Sequence, residues 1–282
     1  DLKIISILLN VKEQKKLEKI FETFKVDTVY HAAAYKHVPL VEENVCESVK
    51  NNVLGTFFIA KLALNYNVSN FVLISSDKAV RPTNIMGVSK KLAEICVQSL
   101  YHNKDNNSKF AIVRFGNVLQ SSGSVIPKFK KQIKKGGPVT LTHPDVTRYF
   151  MTIIEASQLV IQAGAMSEGC EVFVLDMGES IKIRNLIYKM INLSGLTVKD
   201  SNNSNGDIEI KITGLRPGEK LYEELLLGEN PQNTYHDKIQ KAQDPFIPFN
   251  QLKTDLDNLS NLLEDNRAAD VKDKLRELLP AY

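Results

Sequence analysis

The sequence predicts an α/β fold: a doubly wound parallel sheet of the dinucleotide-binding (Rossmann-like) kind, with a smaller C-terminal substrate-binding lobe. Three observations carry this. Short β-branched apolar runs alternate with stretches whose apolar residues fall at helical spacing, the pattern of parallel strands joined by crossover helices. The chain has 282 residues, 43% hydrophobic and 24% charged, enough to bury a full core and unlike a disordered or fibrous chain. Polar residues collect where predicted strands end, the edge at which open α/β sheets bind ligands.

Residues 2–9 read as a strand and 12–25 as a helix, with Leu17, Ile20, Phe21 and Phe24 at helical spacing. The alternation continues with strand 28–31, helix 51–65, strand 71–75, helix 87–102 and strand 110–114. After Gly116 it loosens, as Ser121-Ser122-Gly123, Gly136-Gly137-Pro138 and His143-Pro144 punctuate short elements of a second lobe. Helix 153–164, strand 172–175 and helix 183–193 follow, part of this stretch returning to the main sheet. Residues 200–207 form a loop, and 252–279 read as two amphipathic helices. The expected division is a partial dinucleotide-binding domain over residues 1–118 and a mainly substrate-binding lobe over 119–282, with segments returning to the core and C-terminal helices.

A dinucleotide fold opens with a strand, a Gly-rich turn and a helix whose N-terminus holds the pyrophosphate. Here the first glycine is Gly55, inside a helical pattern. The expectation is therefore an upstream segment bearing that loop and two further strands, which would sit between strands 2–9 and 28–31.

Composition excludes other classes. A formal charge of +3, with 36 basic residues interspersed among 33 acidic ones, leaves no nucleic-acid footprint. The Lys130, Lys131, Lys134, Lys135 cluster has the spacing of one solvated helix face. Cys46, Cys96 and Cys170 lie far apart with no CxxC pair, so neither a disulfide framework nor a metal site is expected, and a reducing, cytoplasmic setting is. No apolar run approaches the roughly 18 residues a membrane span requires, and no signal peptide opens the chain.

Ser75-Ser76-Asp77-Lys78 ends a predicted strand, and Met86 and Lys90 follow at the start of a helix. A hydroxyl, an acid and two lysines converging at the ligand edge exceed what helix capping requires, although Ser76 or Asp77 alone could be a cap. His31-Ala32-Ala33-Ala34 ends an earlier strand with small residues that let backbone approach a ligand, or form a packing turn. Asn52 either fixes backbone near the site or caps a helix. Arg148 and Arg216, in aromatic- and Pro-flanked loops, are candidate phosphate clamps. Ser121, Ser122 and Ser124 offer hydroxyls near a helix start. Glu219, Glu223 and Glu224 read as helix-start and surface charges.

Four runs resemble the CapD-like polysaccharide-biosynthesis family of extended short-chain dehydrogenases/reductases: His31 to Pro39, Ser75 to Asn84, Arg114 to Val118, and Gly214-Leu215-Arg216-Pro217-Gly218-Glu219-Lys220. The resemblance covers about residues 2–227 and implies a UDP-N-acetylglucosamine 4,6-dehydratase. In that cycle NADP or NAD takes hydride from sugar C4, water leaves across C5 and C6, and hydride returns at C6, so the net reaction is that of a lyase.

By the same resemblance, Asp77 is the acid and Lys78 the base of the elimination. His31, Ala32, Ala33, Ala34, Asn52, Ser75 and Lys90 lie along the cofactor; Lys36, Asn117, Ser121, Ser122, Arg148 and Arg216 face the UDP-sugar. The usual Tyr-x-x-x-Lys pair is Met86-x-x-x-Lys90 here, as in the longer, membrane-anchored members. Methionine moves no proton. The base at the C4 hydroxyl is thus open between Ser76, acting through a water, and Lys78. A homo-oligomer, in the cytoplasm or as the cytoplasmic domain of an inner-membrane protein, is implied. A UDP-sugar 4-epimerase and a non-catalytic nucleotide-binding domain are the competing readings.

Overall fold

In a computed structural model, which describes residues 3–103, 106–121, 123–224 and 231–280, the chain alternates strands and helices as the periodicity requires. In chain order the elements begin α1 (Gln14–Phe24), β1 (Thr28–His31), α2 (Val38–Glu43) and α3 (Val45–Val49). A π-helical turn (Lys50–Leu54) leads without a break into α4 (Gly55–Asn65). Then come β2 (Asn70–Ile74), α5 (Ile85–His102), β3 (Lys109–Arg114), β4 (Asn117–Val118), α6 (Val125–Lys134), β5 (Val139–Leu141), β6 (Thr147–Arg148) and β7 (Phe150–Met151). The remainder is α7 (Ile153–Met166), β8 (Cys170–Leu175), β9 (Ile181–Lys182), α8 (Ile183–Leu193), β10 (Val198–Lys199), β11 (Ile208–Ile212), β12 (Gln232–Asn233), β13 (Ile239–Ala242), α9 (Phe249–Glu264) and α10 (Ala268–Leu278).

The main sheet has the order β1-β2-β3-β8-β13-β12. The first four strands run parallel, while β13 pairs antiparallel with β8 and β12 antiparallel with β13 at the far edge. Side chains alternate across it. Phe71, Leu73, Phe110 and Ile112 face the layer of α1 and α4; Val72, Ala111 and Val113 face α7 on the other side. The sheet is thus covered on both faces, as a parallel sheet must be.

The expected strand over residues 2–9 is absent from the described part. Residues 3–10 form no strand, and Ile4, Ile5, Ile7 and Leu8 are exposed. A β-branched run becomes a strand only against a ladder partner, and among the described residues none pairs with the outer edge of β1. The helix expected from residue 51 in fact continues a helical run that begins at Val45, with the π-helical turn in its middle.

Three packed units position the site. Helix α5 carries an unbroken buried stretch from Ile85 to Leu100, wedged between the sheet and the pair α9 and α10. Its N-cap Asn84 accepts the Gly87 amide at 2.9 Å through its side-chain oxygen. Thr152 caps α7 in the same way, taking the Glu155 amide at 3.1 Å. The small lobe is a three-stranded sheet, β10-β11-β5, whose core with α6 and α8 is built from Phe129, Ile133, Leu141, Ile187, Ile191 and Ile208.

Candidate active site

The site lies at the C-terminal ends of the parallel strands β1, β2 and β3, where each chain leaves the sheet for a helix. After β2 the backbone stays paired with the end of β3 and the residue that follows it: Ser75 N donates to Val113 O at 2.8 Å and Asp77 N to Phe115 O at 3.1 Å. It then makes one 3₁₀ turn, Asp77–Ala79, started by Ser76, whose hydroxyl accepts the Lys78 amide at 3.3 Å. This short turn buries the Asp77 side chain completely and leaves Lys78 reaching into a cavity.

Lys78 Nζ lies 3.0 Å from Asp77 Oδ1 and 2.8 Å from Glu223 Oε1. Asn117, from β4, bridges the group: its carbonyl oxygen is 3.5 Å from Lys78 Nζ and its amide donates to Glu223 Oε2 at 3.1 Å. Arg148 Nε approaches Glu223 Oε1 at 3.3 Å, and Arg148 Nη2 approaches Glu219 Oε1 at 3.2 Å. The Glu223 side chain is only 5% exposed. The surface role expected of Glu223 is therefore corrected. The segment 219–224 is not helical, and it turns Glu223 inward onto Lys78 while Glu224 faces outward to Arg81.

The charges set one another. Burial favours a neutral Asp77, but Lys78, with help from Glu223 and Ser76, outweighs it and holds the carboxyl below its ordinary range. Burial also opposes the Lys78 ammonium, yet Asp77 and Glu223 outweigh it and raise that lysine. Glu223 moves the other way: burial pushes it up to about 7, with Lys78 opposing and the Asp77 charge adding to the rise. Lys78 and the Ser76 hydroxyl both stabilise the Asp77 anion. Asp77 Oδ2 is buried with no hydrogen-bond partner among the described residues.

Two cavities meet at Lys78. One, of about 390 Å³, is lined by Lys78, Asn117, Arg148, Arg216, Glu219 and Glu223 among others. The second, of about 410 Å³, is lined by Ala32, Ala34, Lys36, Ser75, Ser76, Met86, Lys90 and Ser121 and shares Lys78, Asn117 and Arg216 with the first. Most residues expected to serve substrate or cofactor are thus brought together, and Ser122 lies outside the described residues. Lys90 donates to Ile74 O at 2.8 Å, and burial lowers it to about 8 against the pull of Glu94. Met86 stands beside it in the second cavity, buried and apolar.

Some expected contacts take a different form. His31 lines neither cavity; its Nε2 pairs with Thr56 Oγ1 at 2.9 Å, and burial lowers the ring to about 4, with Lys90 adding to the shift, so it is a neutral packing residue. Ala33 also lies off the cavities, its carbonyl held by the Asn51 amide at 3.1 Å. Asn52 grips the loop after β1 through both groups: Oδ1 accepts from Tyr35 N at 2.7 Å and Nδ2 donates to Tyr35 O at 2.9 Å. It is also 3.0 Å from Ser89 Oγ, so the π-helical turn ties the loop to α5. Arg148 is already committed to carboxylates, whereas Arg216 forms no ion pair among the described residues and lines both cavities. Of the two expected clamps, Arg216 is the open one.

A buried ionic layer lies beneath. Arg114, at the end of β3, donates from Nε to Glu94 Oε1 at 2.8 Å and from Nη2 to Asp244. Lys91 also pairs with Asp244, and Ser75 donates to Glu94 Oε1 at 2.6 Å. Two cations and two anions cancel, and the segment after β13 is tied to the base of the site. The sequence offered no hint of Asp244.

Comparison with known proteins follows this geometry. The sequence profile of the polysaccharide biosynthesis protein family matches residues 1–244. The chain belongs to that family. It is 48% identical over 268 residues to the capsular polysaccharide biosynthesis protein CapD of Staphylococcus aureus, covering 94% of this chain and 42% of that protein. It is 54% identical over 219 residues to the probable polysaccharide biosynthesis protein EpsC of Bacillus subtilis, covering 78% and 35%. The chain thus spans less than half the length of these two relatives. Among solved structures, Pen from Bacillus thuringiensis superposes with a TM-score of 0.70 at 36% identity, over 78% of this chain and 66% of Pen. No helix among the described residues of this chain is long and apolar enough to cross a membrane.

Proposed function

We propose that this family member is a 4,6-dehydratase of a UDP-N-acetylglucosamine-type sugar, supplying a 4-keto-6-deoxy sugar for surface polysaccharide. The observation that carries the reading is the Asp77–Lys78–Glu223 cluster, where an amine and two carboxyl groups meet within about 3 Å at the junction of two cavities. Hydride transfer alone needs one base at the C4 hydroxyl; elimination of water needs a base at C5 and an acid at C6 as well. A site with three titratable groups suits the longer sequence.

The second cavity fits the nicotinamide end of NAD or NADP: small Ala32 and Ala34 beside β1, Met86 as an apolar wall, and Lys90 as a buried donor. When bound, that cofactor takes hydride at C4 and returns it at C6. Lys90 and Ser75 would orient its ribose side, while Lys78 faces the sugar carbons. Arg216 would meet the diphosphate, with Lys36, Asn117 and Ser121 around it. Asp77 holds Lys78 in place.

The relatives bear on two readings. UDP-glucose 4-epimerase of Rickettsia rickettsii is 36% identical over 205 residues, 72% of this chain. An epimerase would change configuration without changing mass. Incubating the native protein with UDP-N-acetylglucosamine and NAD or NADP decides between them: a product lighter by one water is expected, and an isomer of unchanged mass would overturn the reading.

A further inference from the structure

We infer that Thr83 is a positioning residue for Arg216: through the carbonyl of Gly218 it clasps the turn that carries Arg216 to the N-terminus of α5, and so aims the guanidinium for a nucleoside diphosphate. The inference rests on the reading of Arg216 as the diphosphate's partner and names the device that holds it there.

Residues 216–219 make a tight turn. Glu219 N donates to Arg216 O at 3.0 Å, and Arg216 N donates to Glu219 Oε2 at 3.2 Å. Pro217 and Gly218 take the two central places, with Gly218 at φ 72°, the Pro-Gly pattern of a type II turn. The Gly218 carbonyl is not used by the turn itself. Two donors take it instead: Thr83 Oγ1 at 2.9 Å and Asn84 Nδ2 at 3.0 Å. A β-carbon built on Gly218 would lie 2.8 Å from both Asn84 Cβ and the Thr83 carbonyl oxygen, so the turn sits directly on residues 83 and 84.

Asn84 has two tasks, because its Oδ1 caps α5 while its Nδ2 meets Gly218. Thr83 has one. It is exposed, it caps no helix, and among the described residues its hydroxyl bonds only Gly218 O. On the other side of Gly218, Lys220 Nζ donates to Val80 O at 2.9 Å, so the turn is tied twice to the segment that follows Lys78.

What the clasp fixes is the base of a long side chain. Arg216 lines both cavities and forms no ion pair among the described residues. Ordering an arginine on a ligand costs rotamer freedom. Anchoring its backbone two residues away restricts where the guanidinium can go, and less freedom is then lost when an anion arrives. Thr83 also lines the first cavity, so direct contact with a ligand is the alternative that the test must separate.

Binding of UDP to the native protein, followed by titration calorimetry, reads the clasp without turnover and whichever reaction follows. Arg216→Ala should weaken UDP by about 10–100-fold, as the loss of charge-assisted hydrogen bonds does. Thr83→Val keeps the shape, loses the donor and should weaken UDP by about 2–10-fold. Thr83→Ser restores the donor and should bind as wild type does. In the Arg216→Ala background Thr83→Val should add nothing, because Thr83 acts through the arginine. A threonine that touches UDP itself, or one that only supports the fold, weakens binding equally in both backgrounds. That result, or Thr83→Val binding UDP as tightly as wild type while Arg216→Ala binds it poorly, overturns the clasp. Arg216→Ala with undiminished affinity, or a native protein that binds no UDP, instead sinks the diphosphate reading, and the clasp with it.

Discussion

Gly87 and Lys78 touch backbone to backbone: a β-carbon built on Gly87 would lie 2.3 Å from the Lys78 carbonyl oxygen and 3.1 Å from the Pro82 side chain. The first turn of α5 therefore rests directly on the turn that presents Lys78, and Asn84 caps that helix from the same corner. Gly87→Ala should push the 3₁₀ turn outward. The expected cost is about 1–3 kcal/mol of stability, as for other overpacked sites, with a larger fractional loss of turnover than of UDP binding. Denaturant unfolding and steady-state kinetics measure both.

Lys78→Met removes the amine at the cavity junction and leaves two carboxyls facing each other. Loss of dehydration by about 10²–10⁴-fold is expected, along with C5 deuterium exchange. Asp77→Asn removes the carboxylate 3.0 Å from Lys78 Nζ and should lower water loss as well. Product mass analysis on both variants measures this, and undiminished water loss in both would overturn the reading of the cluster.

Arg114 sits fully buried between Glu94 and Asp244. Arg114→Leu would strand two anions with only Lys91 to balance them. Breaking a buried pair from one side costs about 3–5 kcal/mol, so the melting temperature should fall steeply. A melt within 2–3 °C of wild type, about the shift of 1 kcal/mol in a chain of this size, would show that the layer is open to solvent.

His31 adds a pH dependence to stability. Its ring is held near 4 in the folded chain by burial, with Lys90 adding to the shift, against 6.5 for the ordinary imidazole. The unfolded chain then binds the proton first. Stability is full above 6.5 and declines as pH falls toward 4, by about 3 kcal/mol if the whole shift is expressed. His31→Gln can keep the bond to Thr56 and should flatten that decline in unfolding measured from pH 7 to 4.

The sequence by itself determined the alternation of strands and helices, because apolar spacing of two or about 3.6 is a local property of the chain. It also set Ser75, Ser76, Lys78, Met86 and Lys90 along one strand–turn–helix unit, and the structure keeps them around one cavity. Tertiary structure alone decided which distant groups complete it. Glu223 and Glu224 are indistinguishable in sequence, yet one turns to Lys78, at 2.8 Å, and the other to Arg81, at 3.3 Å. Asp244 gives no local sign of meeting Arg114, and the apolar run 2–9 looks like a strand although no ladder receives it. Periodicity reports how a segment folds on itself. A charge's partner and a strand's neighbour depend on where other segments arrive, and only the packed chain fixes that.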